Sequence, residues 1–117
     1  MTITILTPTY NREGTLRKLF ESLQKQTSKD FEWIVIDDGS KDNTEALVKE
    51  FIDKAEGYPV TYLKQENSGK HVALNNGIGK AQGELIFIVD SDDWLSDNAV
   101  ETILEYREKY SAQKEEK

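Results

Sequence analysis

The sequence has 117 residues, enough for one domain with a hydrophobic core but short for two. Its 37% apolar and 32% charged residues are those of a soluble globular chain, not a wholly disordered one. A formal charge of −7 without a basic stripe argues against nucleic acid as a partner, and the lack of cysteine excludes disulfides and thiolate zinc sites.

The single histidine, His71, excludes a multi-histidine metal site within the chain. No apolar run approaches the ~20 residues of a membrane span. Met1-Thr2-Ile3-Thr4 lacks the basic start of a signal peptide, so a cytoplasmic location is expected.

Along the chain, apolar runs alternate with helical periodicity. Thr2 to Thr7, β-branched and bounded by Pro8, predicts a strand. Leu16, Leu19, Phe20 and Leu23 then form one apolar stripe of a helix. Phe31 to Ile36 predicts a second strand, stopped by Asp37-Asp38-Gly39-Ser40. A second helix carries Leu47, Val48, Phe51 and Ile52, with Asp42 as its expected N-cap and Glu45 completing a capping box. Val60 to Leu63 is a short third strand. A weaker helix over Val72 to Ala81 follows, its glycines suited to close packing.

Glu84 to Val89 is the most apolar strand, expected at the sheet centre with both faces buried. The last helix carries Val100, Ile103 and Leu104 and is expected to be capped by Ser96 or Asp97. Residues 1–107 thus form one domain, and 108–117 a charged tail expected to fray. The alternation predicts an α/β fold: three layers, a mostly parallel, Rossmann-like sheet with helices on both faces. Ligands of such sheets sit beyond the carboxyl ends of the strands.

Three polar clusters fall there. Asp90-Ser91-Asp92-Asp93, after the fourth strand, places three carboxylates within four residues. Without a counter-charge they would repel, and hard oxygen donors without Cys or His suit Mg²⁺ or Mn²⁺ shared with a phosphate. The same residues also suit turns and helix caps. Asp37-Asp38-Gly39-Ser40 fits hydrogen bonding to a base or ribose as well as a strand-to-helix turn. Thr7-Pro8-Thr9-Tyr10-Asn11-Arg12 offers Tyr10 as a surface beneath a planar base or as a core residue, and Thr9 and Asn11 as caps of the first helix. Gly69 permits close backbone approach, and Lys70 stands where it would reach a phosphate at a helix N-terminus. His71 is expected on the outer side of that helix. Trp33 and Trp94 fit core anchors, and Trp94 is also placed to cover the acidic cluster.

In this order the clusters resemble the N-terminal region of the family-2 glycosyltransferases, inverting enzymes with a glycosyltransferase-A fold. The resemblance rests on Thr7 to Arg12, Gln26-Thr27, Val35 to Thr44, Asn67-Ser68-Gly69-Lys70, Ala73-Leu74-Asn75, Ala81-Gln82-Gly83-Glu84 and Asp90 to Asp93. It implies that Pro8, Thr9 and Tyr10 cradle a nucleoside, that Asp38 reads the base (usually uracil) and that Lys70 flanks the nucleotide. Asp90 and Asp92 correspond to the Asp-x-Asp pair at the ribose and the diphosphate-bound metal, with Asp93 a further ligand. Together the nucleotide is assigned to Thr7, Pro8, Thr9, Tyr10, Arg12, Asp37, Asp38, Gly69, Lys70, Asp90 and Ser91, and the Mn²⁺ or Mg²⁺ to Asp90, Asp92 and Asp93.

The resemblance further implies a nucleotide-diphospho-sugar donor and an acceptor glycan or lipid-linked sugar. It also implies a later region, absent from this chain, that supplies the general base and admits a membrane-associated whole protein. The chain alone is then expected to bind donor without turnover, and an open sheet is expected to self-associate. A non-catalytic nucleotide-binding or assembly module is the alternative. A nucleotidyltransferase is disfavoured because the loop after the first strand is not glycine-rich and basic. A receiver domain is disfavoured because its acids would follow the first and third strands.

Overall fold

The computed structural model describes residues 2–115, with side chains through residue 109. Strand and helix alternate as β1 (Ile3–Thr9), α1 (Glu13–Gln24), β2 (Phe31–Asp37), α2 (Thr44–Lys54), β3 (Val60–Lys64), α3 (Lys70–Lys80), β4 (Leu85–Ile88) and α4 (Ala99–Glu115). All four strands run parallel, in the order β3-β2-β1-β4. Ile3 lies opposite Phe31 on one side and Leu85 on the other, which fixes the central register. The sheet grows one way from β1 through β3, then the chain crosses back to lay β4 against the free side of β1. That reversal opens a crevice at the carboxyl ends of β1 and β4.

Alternation along the strands sends side chains to two cores. Ile3 and Ile5 of β1 with Phe31, Trp33 and Val35 of β2 meet α1, α2 and Val100 of α4. There Phe20 and Phe51 stack with ring centroids 4.2 Å apart, and Trp33 lies 5.9 Å from Phe51. Leu6, Ile34 and Ile36 face the other way, toward Ala73 of α3. Helices therefore cover both faces, as the alternation predicts. The suitability of the α3 glycines for close packing is realised at Gly77. A Cβ there would lie 2.7 Å from Ile36 Cδ1 and 3.1 Å from Leu6 Cδ2.

Several boundaries differ from expectation. β1 continues two residues past Thr7, through Pro8. The Leu6 carbonyl accepts the Val89 N–H and the Thr9 carbonyl accepts the Asp38 N–H, so even-numbered residues of β1 bond toward β4. The donor that Pro8 lacks thus falls on the β4 side, past the end of that strand, where it costs no ladder bond. α2 begins at Thr44 without the capping box: Asp42 Oδ1 accepts the Thr44 N–H at 3.0 Å, and Glu45 pairs with Lys49 and Lys64 instead, each at 3.0 Å. α3 begins two residues early, at Lys70.

Neither Ser96 nor Asp97 caps α4 through its side chain. The Val100 N–H donates instead to Gln26 Oε1, two residues past the end of α1, at 3.0 Å. The tail expected to fray falls mainly on residues whose side chains lie outside those described, and 116–117 lie outside entirely.

β4 is the clearest correction. It pairs only with β1 among the described residues, and Ile86, Phe87 and Ile88 are 40%, 38% and 52% exposed. The central, doubly buried strands are β1 and β2. An apolar run reports an affinity for burial, whereas position in the sheet follows from the crossovers. Among the described residues, no helix is long and apolar enough to cross a membrane.

Candidate functional site

The crevice at the carboxyl ends of β1 and β4 is a cleft of about 300 Å³. The end of β1 supplies Pro8 and Thr9, and the loop beyond it Tyr10 and Arg12. Asp38 comes from the end of β2, Lys70 and Ala73 from the start of α3, and Asp90 and Ser91 from the segment after β4. Eight of these nine residues were assigned to the nucleotide from sequence. Tyr10 stands as a wall of the cleft, 42% exposed. Thr9 Oγ1 is buried and, among the described residues, is the only such side-chain atom without a hydrogen-bond partner.

The loops are tied to one another. Asn11 takes a positive φ of 51°, a backbone state that Asn tolerates better than most residues. In it the Asn11 N–H donates to Ser40 Oγ and Asn11 Oδ1 accepts the Lys41 N–H, both at 2.8 Å. Asn11 thus bridges two loops, and neither it nor Thr9 caps α1, whose N-cap Arg12 makes no side-chain bond. Asp38 holds the loop before α3. Its Oδ1 accepts the Ser68 N–H at 2.7 Å and the Gln65 amide at 2.9 Å, and its Oδ2 accepts the Gly69 N–H at 3.1 Å. Gly69 presents that N–H from φ +101°, a conformation that disfavours any side chain. Burial alone would raise the Asp38 carboxyl, but the donors at Ser68, Gln65 and Gly69 outweigh it and hold it below the usual carboxylate range. An ionised carboxylate has about four acceptor positions; three are filled here, which leaves one for a ligand.

The carboxylates of Asp90, Asp92 and Asp93 offer oxygens within 4.8 Å of one another. Lys70 Nζ sits 3.0 Å from Asp90 Oδ1 and is the nearby counter-charge to the cluster. Three carboxylates against one ammonium leave a local excess of negative charge, with oxygen donors only. This set fits a hard divalent cation such as Mg²⁺ or Mn²⁺. Asp92 and Asp93 are exposed beside the cleft rather than lining it.

Other assigned residues lie away from the cleft. Thr7 is fully buried, its Oγ1 accepting the Trp33 indole N–H at 2.9 Å. Asp37 is fully buried too, with Oδ1 accepting the Ser40 N–H at 2.8 Å and Oδ2 accepting the Tyr62 hydroxyl at 2.6 Å. Burial, with that contact adding to it, pushes the Tyr62 hydroxyl well above its ordinary pKa. Gly69 contributes through its backbone. Trp33 is a core anchor; Trp94 is 61% exposed and lies under Lys18 of α1, 4.6 Å from the ring centroid. His71 is exposed, as expected. Sequence reasoning counted Ala73 and Ser68 among the residues of the family resemblance without giving either a role, and missed Gln65. The Asn67-Ser68-Gly69 turn was the available signal.

The family model described as Glycosyl transferase family 2 matches residues 4–113. The chain belongs to that family. Among its relatives, the glycosyltransferase GlyA of Streptococcus pneumoniae serotype 4 is 38% identical over 110 residues, 94% of this chain and 16% of GlyA. S. aureus TarS 1–349 in complex with UDP superposes with a TM-score of 0.83 at 32% identity, covering 93% of this chain and 32% of that one. The mannosyltransferase PcManGT from Pyrobaculum calidifontis, in complex with GDP-Man and Mn²⁺, gives a TM-score of 0.74 at 28% identity over 79% of this chain and 28% of that one. The fold of this family-2 chain is therefore the α/β architecture expected from its sequence. The chain spans only 16% to 41% of the length of such curated relatives.

Proposed function

We propose that this chain is the donor-binding part of an inverting, metal-dependent glycosyltransferase of the hexosyltransferase type. It takes the sugar of a nucleoside diphosphate, UDP in preference to GDP, for transfer to a hydroxyl of a glycan or lipid-linked acceptor. One observation carries the reading: the reversal between β1 and β4 brings Tyr10, Asp38, Lys70 and Asp90 to one cleft, with Asp92 and Asp93 beside it. The UDP complex of the similar TarS supports the choice of base, and the Mn²⁺ complex of the similar PcManGT supports the metal.

Tyr10 offers the base a ring to lie against, and the unfilled acceptor position of Asp38 suits a ring N–H of uracil. Lys70 and the first amides of α3 provide positive potential for the phosphates. A divalent cation held by Asp90 and Asp92, with Asp93 alongside, would offset charge on the departing diphosphate. Asp38 is engaged with its loop and Asp90 with Lys70, which leaves neither free to act as general base, and in this reading the chain by itself binds donor without turnover.

Calorimetric titration with UDP, with and without Mn²⁺, tests the reading. Binding that requires Mn²⁺ and disappears in Asp92→Ala is expected. A folded chain that binds neither UDP nor GDP with Mn²⁺ present would refute it.

A further inference from the structure

Gln26-Thr27 belongs to the family resemblance but has no role in the cleft. Gln26 is 4% exposed, so its amide must find partners inside the protein. It finds three. Nε2 donates to the Ser22 carbonyl at 3.0 Å and to the Ser96 carbonyl at 2.7 Å, and Oε1 accepts the Val100 N–H at 3.0 Å. Both amide hydrogens are thereby used, and one of the amides left free at the start of α4 is satisfied by a side chain 74 residues earlier in the sequence.

The neighbours of Gln26 reinforce the same joint. Ser22 Oγ accepts the Leu95 N–H at 3.1 Å, the Thr27 N–H donates to the Asp97 carbonyl at 2.9 Å, and Thr27 Oγ1 donates to Glu101 at 2.8 Å. On the upstream side, the Val89 N–H is fixed to the Leu6 carbonyl at 2.9 Å. The segment from Asp90 to Trp94 is thus slung between the end of β4 and a clasp on α1. Within it, the backbone bond from the Asp93 N–H to the Asp90 carbonyl, at 3.0 Å, is the internal tie.

We infer that Gln26, assisted by Ser22 and Thr27, is a positioning residue for the metal-binding carboxylates: it fixes the downstream end of the loop that carries Asp90, Asp92 and Asp93. The inference rests on the metal reading given above. A metal site needs its ligands held before the ion arrives, and loss of such support typically weakens metal affinity 10- to 100-fold. Gln26→Met keeps the size of the side chain and removes all three bonds.

The test is Mn²⁺ binding to the whole chain by electron paramagnetic resonance, without nucleotide, beside thermal melts. Gln26→Met is expected to weaken Mn²⁺ binding by about tenfold or more. Ser22→Ala, a milder change that removes the Leu95 tie together with the Ser22 Oγ bond to the Leu19 carbonyl within α1, should weaken it less. Phe51→Leu, on the buried face of α2, serves as a destabilised control that leaves Mn²⁺ affinity unchanged. Should Gln26→Met fail to fold, Ser22→Ala measured against Phe51→Leu decides the matter alone. Wild-type affinity in Gln26→Met, or an equal loss in Phe51→Leu, would overturn the positioning role while leaving the metal site intact. A wild-type chain that binds no Mn²⁺ would overturn the metal reading and this inference with it.

Discussion

Gly77 and Gly79 sit two residues apart on α3, and alanine should have opposite effects at the two. In helices alanine is favoured over glycine by about 0.5–1 kcal/mol. At Gly79 a Cβ would meet nothing within 4 Å, so Gly79→Ala should stabilise by about that amount. At Gly77 a Cβ would stand 2.7 Å from Ile36 Cδ1, against an ordinary carbon contact of about 3.5–4.0 Å. Either Ile36 leaves its rotamer or α3 lifts off the sheet by about 1 Å, and overpacking of this kind costs about 1–3 kcal/mol. Less the propensity gain, Gly77→Ala should destabilise by up to about 2.5 kcal/mol. Urea unfolding followed by the fluorescence of buried Trp33 measures both variants, and each kcal/mol should move the melting temperature by about 4 °C. α3 also carries Lys70 and Ala73 to the cleft, so Gly77→Ala should weaken nucleotide binding where Gly79→Ala does not. If Gly77→Ala proved as stable as Gly79→Ala, the close seating of α3 on β1 and β2 would be wrong.

The Asp38 carboxyl is held below its ordinary range in the folded chain, so its hydrogen bonds stabilise fully above about pH 4, the unfolded value, and that stability is lost as pH falls through the lower folded value. The stability gap between wild type and Asp38→Asn should therefore shrink as urea midpoints are followed from about pH 6 to about pH 2.5. A constant gap would mean that the Ser68, Gln65 and Gly69 donors do not depend on the ionised carboxylate. Lys70→Met removes the ammonium beside Asp90. Both partners are about half exposed, so the pair contributes at most about 1 kcal/mol. Mn²⁺ affinity without nucleotide should rise by up to about fivefold, with UDP affinity falling, and an unchanged Mn²⁺ affinity would show that Lys70 does not engage Asp90 in solution.

Much of the cleft was legible because its residues are local in the chain. Pro8, Thr9, Tyr10, Asp38, Lys70 and Asp90 each end a strand or start a helix, and strand ends can be read from where apolar runs stop. Which oxygens remain free was not legible. Asp37 and Asp38 are adjacent and identical, yet Asp37 is fully buried on Tyr62 and Ser40 while Asp38 reaches the cleft. Successive strand residues point to opposite faces, and the sequence pattern here did not say which carboxylate faced which way. The assignment of Thr7 met the same ambiguity, since its hydroxyl turns to Trp33.

By itself the sequence determined the alternation of strands and helices, the two-sided sheet and the acidic cluster after the fourth strand, because period-2 and period-3.6 patterns and turn residues act over short distances. Only the tertiary structure decided that β4 lies at the edge of the described sheet, that Asn11 bridges loops and that the Val100 N–H of α4 is met by Gln26, two residues past α1. Those outcomes depend on crossover direction and on hydrogen bonds between residues up to 74 positions apart, where a buried polar group takes whichever partner the packed helices bring within reach.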